Sequence, residues 1–181
     1  MIKTSAQLLR SYLEDAIAAE KAFASRLREF SLEGDDDDVK AAFAAAAEQA
    51  AVHSGQLTER LQSAGAAPST AKTIVANLFG SMLRPAHTAH VQEEGTVQNL
   101  VMAYTFAASA CAMYESLGAV AHAAGDSETS SRAREIQTYA STLAEKLFHF
   151  IPTRSIIAYN MLTLDEVDPA VQTKVGEASW T

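Results

Sequence analysis

YTFAASACAMYESLGAVAHAAG, residues 104–125, is an alanine-rich stretch closed by Gly125. Phe106, Ala110, Met113 and Leu117 recur at steps of three and four, the period of one helix face rather than of a strand. Tyr104, Ser109, Glu115, Ser116 and His122 punctuate the run, and alanine adds too little hydrophobicity for a membrane span. The stretch therefore reads as the core helix of a soluble bundle. It carries little that could do chemistry, for between Tyr104 and Tyr114 the polar side chains are the hydroxyls of Thr105 and Ser109 and the thiol of Cys111.

The rest of the chain repeats the helical period. Leu8, Leu9, Tyr12, Leu13, Ala16, Ile17, Phe23, Leu27 and Phe30 predict a first helix over 5–31, ended by Gly34. Asp35 to Asp38 then open a second helix over about 39–64, where negative charge suits the free N–H groups of a helix start. The acidic quartet lacks the spaced oxygen ligands and closing glutamate of a calcium loop, so a solvated cap is the better reading. Phe43, Ala47, Ala50, Leu57 and Leu61 give the second helix its face, and Gly65 to Pro68 stop it. A connector over 69–94 holds one short helix, 71–83, ended before Pro85. The third helix spans about 96–124, and the fourth runs from the Asp126 and Ser127 cap to Ile151, before Pro152. A short amphipathic helix follows over 155–164, and the tail then loosens. Four long helices with a long crossover between the second and third predict an all-α, ferritin-like four-helix bundle over residues 1–160, with a C-terminal tail over 161–181.

Composition bounds the function. The 181 residues suit one domain, and 48% hydrophobic with 20% charged residues is the balance of a globular chain. A net charge of -8 repels phosphate backbones and anionic lipids, so neither nucleic acid nor membrane is expected as a partner. The single cysteine, Cys111, forms no internal disulfide and fits a reducing cytoplasm; Arg10, Glu14 and Asp15 break what an export signal would need. No Gly-x-Ser-x-Gly elbow or phosphate-binding glycine loop is present, and Cys111 has no neighbouring cation in sequence to activate it.

LEDAIAAEKAF (13–23), VKAAFAAAAEQAAVHSGQLTERLQSAG (39–65), AYTFAASACAMYESLGAVAHAAGD (103–126) and LFHFIPT (147–153) resemble the YciF-type ferritin-like proteins, a bacterial family largely of unknown function. The resemblance covers about residues 5–160 and is carried by helix patterns. It implies a ferritin-type bundle, commonly dimeric, with carboxylates and sometimes histidines placed inside for a di-metal centre. Such a centre takes about four carboxylates and two imidazoles, with Glu-x-x-His on two of the helices. The family's first-helix glutamate matches Glu20 and its second-helix acidic position matches Glu48. Three residues after Glu48 stands Ala51; the third-helix acidic positions fall on Ala107 and Ala110, and the fourth-helix positions on Tyr139, Ala140, Ser141 and Leu143. The resemblance thus implies a vestigial metal site, with Glu20 and Glu48 its remnants.

Other side chains offer substitutes. Glu115 with His122, and Glu145 with His149, each share a helix face. His53 lies about 140° round the helix from Glu48 and reads as a polar-face histidine. His87, His90 and either Glu93 or Glu94 have helical spacing for an open zinc or copper site, against a plain polar loop. Tyr104, Tyr114 and Tyr139 read as core aromatics whose hydroxyls find partners. The leading expectation is a non-enzymatic, homodimeric bundle without cofactor, structural or interactive in role and linked to stress. The alternatives are a di-iron oxidase or metal store holding iron or manganese through Glu20 and Glu48 with non-standard partners, and a binder of a small apolar molecule.

Overall fold

The computed structural model describes residues 4–65 and 92–163. Within them the chain forms four helices: α1, Ser5–Phe30; α2, Asp37–Ser63; α3, Gln92–Ala123; and α4, Ser127–Thr163. Short polar side chains start them by satisfying N–H groups that no helical carbonyl reaches. The Thr4 hydroxyl accepts from the Gln7 N–H at 3.2 Å, and Asp36 from the Val39 N–H at 3.0 Å. Asp126 accepts from both the N–H and the hydroxyl of Thr129, at 3.0 and 2.7 Å. The acidic quartet is thus a helix start, with Asp36 as cap and Asp37 and Asp38 in the first turn. Between α1 and α2 the chain turns at Gly34, whose φ of 74° disfavours a side chain and whose added Cβ would lie 2.7 Å from Thr96 Oγ1.

Pairings fix the topology. Along α3, Asn99 meets Glu33 just after α1, and Phe106 and Tyr114 meet Phe23 and Glu20 of α1, in reverse order, so the two helices are antiparallel. Asp36 with Arg154 and Arg60 with Asp126 make α2 and α4 antiparallel, and Tyr104 with Phe148 and Glu115 with Gln137 do the same for α3 and α4. The end of α2 and the start of α3 therefore lie at opposite ends of the bundle, which requires the long crossover expected from the sequence. Leu13, Leu27, Phe43, Leu57, Leu61, Leu100, Leu117, Ile136 and Leu147 fill the interior, and the Phe23 and Phe106 rings stack with centroids 3.7 Å apart. Each such side chain contributes about 1.5–3 kcal/mol on leaving water. Alanines at 16, 19, 46, 47, 50, 103, 107, 110, 121, 133 and 140 are also buried and let the helices approach closely.

Two clasps hold α2 to α4. The cap of α2, Asp36, accepts from Arg154 Nε at 2.6 Å and Nη2 at 3.2 Å near the far end of α4. The cap of α4, Asp126, accepts from Arg60 Nη2 at 2.7 Å near the far end of α2, and Arg60 Nε donates to Thr129 at 2.9 Å. Each helix start is thus locked by an arginine from the end of its neighbour.

The fourth helix departs from the sequence reading. It does not stop at Ile151; it passes Pro152 and absorbs the separate short helix expected over 155–164. Proline removes one backbone donor and disfavours this continuation. Tertiary contacts beyond it outweigh that cost: Arg154 binds Asp36 and lies 5.0 Å above the Phe150 ring, and Ala158 is buried. The third helix begins at Gln92 rather than Thr96, with Glu93 and Glu94 in its first turn. The expected connector helix 71–83 and the tail beyond 163 lie outside the described residues. Among the described residues no helix is long and apolar enough to cross a membrane.

Candidate functional site

At the middle of the bundle each helix contributes one polar side chain. Glu20 falls three residues after Ile17 and three before Phe23; His53 lies three after Ala50 and four before Leu57. Tyr114 follows Ala110 by four and precedes Leu117 by three, and Tyr139 sits between Ile136 and Leu143. Helical period alone therefore turns all four toward the core. Glu20 is 3%, His53 5% and Tyr114 1% exposed, while Tyr139 is half-buried.

The Tyr114 hydroxyl donates to Glu20 Oε1 at 2.6 Å, a length typical of a hydroxyl bound to a carboxylate. His53 Nδ1 stands 3.7 Å from Glu20 Oε2, and the Gln49 amide meets His53 Nε2 at 2.9 Å. The Tyr139 ring meets the His53 ring edge-on, centroids 5.1 Å apart. Burial, then the charge of Glu20 and the hydrogen bond to it, push the Tyr114 phenol well above its ordinary pKa. Burial followed by the Glu20 charge raises Tyr139 as well. Both phenols are therefore uncharged at physiological pH.

Of the two residues matched to the family's metal ligands, Glu20 is at this centre and Glu48 is not. Glu48 lies on the exposed face of α2, and the two do not converge. Helix phase explains the correction: Glu48 is about 200° round from buried Ala50 and about 140° from His53. The inward register of α2 is Ala50-x-x-His53, the Glu-x-x-His spacing with alanine in the first place. His53 is accordingly a core residue and not the polar-face histidine expected. The same spacing on α4 holds Ala140 and Leu143, both buried, and on α3 Ala107 and Ala110 are buried, whereas Ala51 and Ser141 are exposed. The Ala-x-x-His phrase was the signal in the sequence that could have placed His53.

The substitutes lie outside. Glu115 is exposed and accepts from Gln137 at 2.9 Å, and His122 is exposed. Glu145 and His149 are 4.0 Å apart with side chains 76% and 75% exposed, a solvated pair. His87 and His90 lie outside the described residues. The half-buried Cys111 thiol points to the Ala107 carbonyl at 3.4 Å, and burial raises its pKa, so it remains a thiol. Among the described residues no three His, Cys, Asp or Glu side chains converge. One carboxylate and one imidazole do not fit a two-ion centre, which takes about four and two.

Residues 4–158 match the family described as a domain of unknown function, DUF892. Two solved structures share the fold. A protein of Xanthomonas campestris pv. campestris is similar at 20% identity over 89% of this chain and 100% of that one, with a TM-score of 0.74. The stress protein YciF of E. coli is similar at 15% identity over 85% and 98%, with a TM-score of 0.72. No curated protein matches the chain. With its family match spanning nearly the whole bundle, the chain belongs to the DUF892 family, and its fold is that of the YciF-type proteins.

Proposed function

We propose that this protein is a non-enzymatic ferritin-like bundle with a degenerate di-metal site, serving as a structural or interaction protein. One observation carries the reading: the inward Glu-x-x-His spacings of α2 and α4 and the matched positions of α3 hold buried Ala50, Ala140, Leu143, Ala107 and Ala110, so Glu20 and His53 have few further donors for two ions. A buried carboxylate without a partner is costly, whereas alanine leaves nothing to neutralise. Metal analysis of protein expressed with added iron and manganese tests this, and two tightly held ions per chain would reject it.

Interaction is the role that the surface supports. Val101 is 44% and Phe148 53% exposed, and the Phe148 ring lies 5.7 Å from that of Tyr104, so α3 and α4 present an apolar patch. In this reading the patch joins two copies into a homodimer in the cytoplasm, and the stress setting is carried over from the E. coli fold neighbour. Sedimentation analysis should find a dimer that Phe148→Glu converts to monomer; a wild-type monomer would remove the assembly from the proposal.

A further inference from the structure

The outer face of α1 and α2 carries charges that nothing in the fold uses. Lys21 and Arg28 stand seven apart on α1, and Glu48 and Glu59 eleven apart on α2, so each pair shares a helix face. All four are exposed, and among the described residues none of them has an ion-pair partner. Between the two helices runs an open groove of about 490 Å³, floored by Ala24, Ala51, Ser54 and Gly55. Glycine weakens a helix interior, yet a Cβ added at Gly55 would meet nothing within 4 Å. No contact among the described residues calls for it, whereas a helix approaching closely from outside does. We infer that this groove pairs with a second copy of the chain, α1 of each copy lying on α2 of the other. The pairing goes beyond the α3 and α4 contact proposed above and uses a separate face.

Charge selects the geometry. Glu20 opposes His53 and Phe30 opposes Phe43, so α1 and α2 are antiparallel, with Lys21 level with Val52 and Arg28 level with Ala45. With a two-fold axis parallel to the helices, α1 of one copy covers α2 of the other at the same level. Side chains lean toward the N-terminus of their own helix. Lys21 therefore leans toward the level of Glu59 on the facing helix, and Arg28 toward that of Glu48. Each ion pair forms twice, once on either side of the axis, as an isologous contact requires. An axis running across the helices would instead lay α1 on α1 and set Lys21 and Arg28 against their like. Exposed ion pairs hold weakly and are screened by salt, so this contact forms at raised concentration and low ionic strength.

Sedimentation analysis of the full chain carrying Phe148→Glu, in which the other patch is disabled, reads this contact alone. Dilute, it should be monomeric; at raised concentration in low salt it should pair, and about 1 M salt should reverse the pairing. Added to it, Lys21→Glu with Arg28→Glu leaves four acidic side chains on the face, and Glu48→Lys with Glu59→Lys leaves four basic ones. Each of these variants should pair at least about ten-fold more weakly, because like charges then meet, and an equimolar mixture of the two should pair again. Gly55→Leu should block pairing by filling the groove while circular dichroism stays helical. Absence of pairing at any concentration, as when another part of the chain fills the groove, overturns the inference. So does pairing that survives charge reversal, or a mixture that stays apart. These outcomes leave the α3 and α4 contact untouched, because that contact is read from the wild-type dimer at dilution.

Discussion

The ends of the bundle and its centre both depend on carboxylates, and they treat them in opposite ways. At the ends Asp36 and Asp126 each cap a helix and face an arginine, with side chains 24% and 11% exposed. At the centre Glu20 is 3% exposed and its partners are the Tyr114 hydroxyl and the His53 ring. Near solvent, a full ion pair is inexpensive and also tethers α2 to α4. In the interior, desolvation favours partners that need not carry charge. The titrations diverge accordingly. The Arg154 guanidinium lowers the pKa of Asp36 against its partial burial. Burial pushes Asp126 up, but the Thr129 N–H and hydroxyl and Arg60 outweigh it and lower the net value. At the centre both phenols rise.

The most damaging change should be at the centre. Tyr114→Phe leaves the buried Glu20 oxygen without its hydroxyl donor and should cost about 1–3 kcal/mol in urea unfolding. Adding Glu20→Met to it should restore most of that loss, because no orphaned carboxylate remains. A double variant less stable than the single one would show that Glu20 has a further partner holding it. At the ends, Asp126→Ala removes the cap of α4 and the Arg60 contact together, and thermal unfolding should report a loss of about 1–2 kcal/mol. An equal loss at both places would erase the contrast between ends held by arginine and a centre held by a hydroxyl.

The pH dependence separates the two regions further. Asp36 and Asp126 have folded pKa values below the ordinary 3.8, so their contribution is complete above about that pH and disappears as pH falls through the lowered values. Tyr114 and Tyr139 have folded values above the ordinary 10.0, so theirs is complete below that pH and is lost as pH rises through the raised values. Asp126→Asn should therefore flatten the acid side of a melting-temperature profile, and Tyr114→Phe the alkaline side. The smallest effect belongs to Glu48→Ala. On the exposed face of α2 it should change stability by no more than about 0.5 kcal/mol, and a larger loss would mean that Glu48 has a structural partner.

Much of this was legible in the residues. Three-and-four spacing of apolar side chains marked the first three long helices, because burial of one face is a local pattern. Asp36 and Asp126 announced their helices because capping acts between residues three apart. The emptied third helix was visible in Ala107 and Ala110, and the structure buries Glu20, three residues from both Ile17 and Phe23. Glu48 and His53 were assigned to the wrong sides, since α2 is rich in alanine on several faces and a weak apolar stripe does not fix its phase. The stop at Ile151 followed from a sound local rule that Arg154, Asp36 and Ala158 override.

The sequence by itself determined the four long helices, the caps that open the second and fourth, and the poverty of donors along residues 104–125, all of which depend on neighbours within a few turns. Only the tertiary structure decided that Tyr114 bonds Glu20 across the core, that His53 faces both, and that arginines near the ends of α2 and α4 close reciprocal clasps. Those contacts join residues far apart in the chain, and their existence depends on the rotation and axial register of packed helices, which no local spacing encodes.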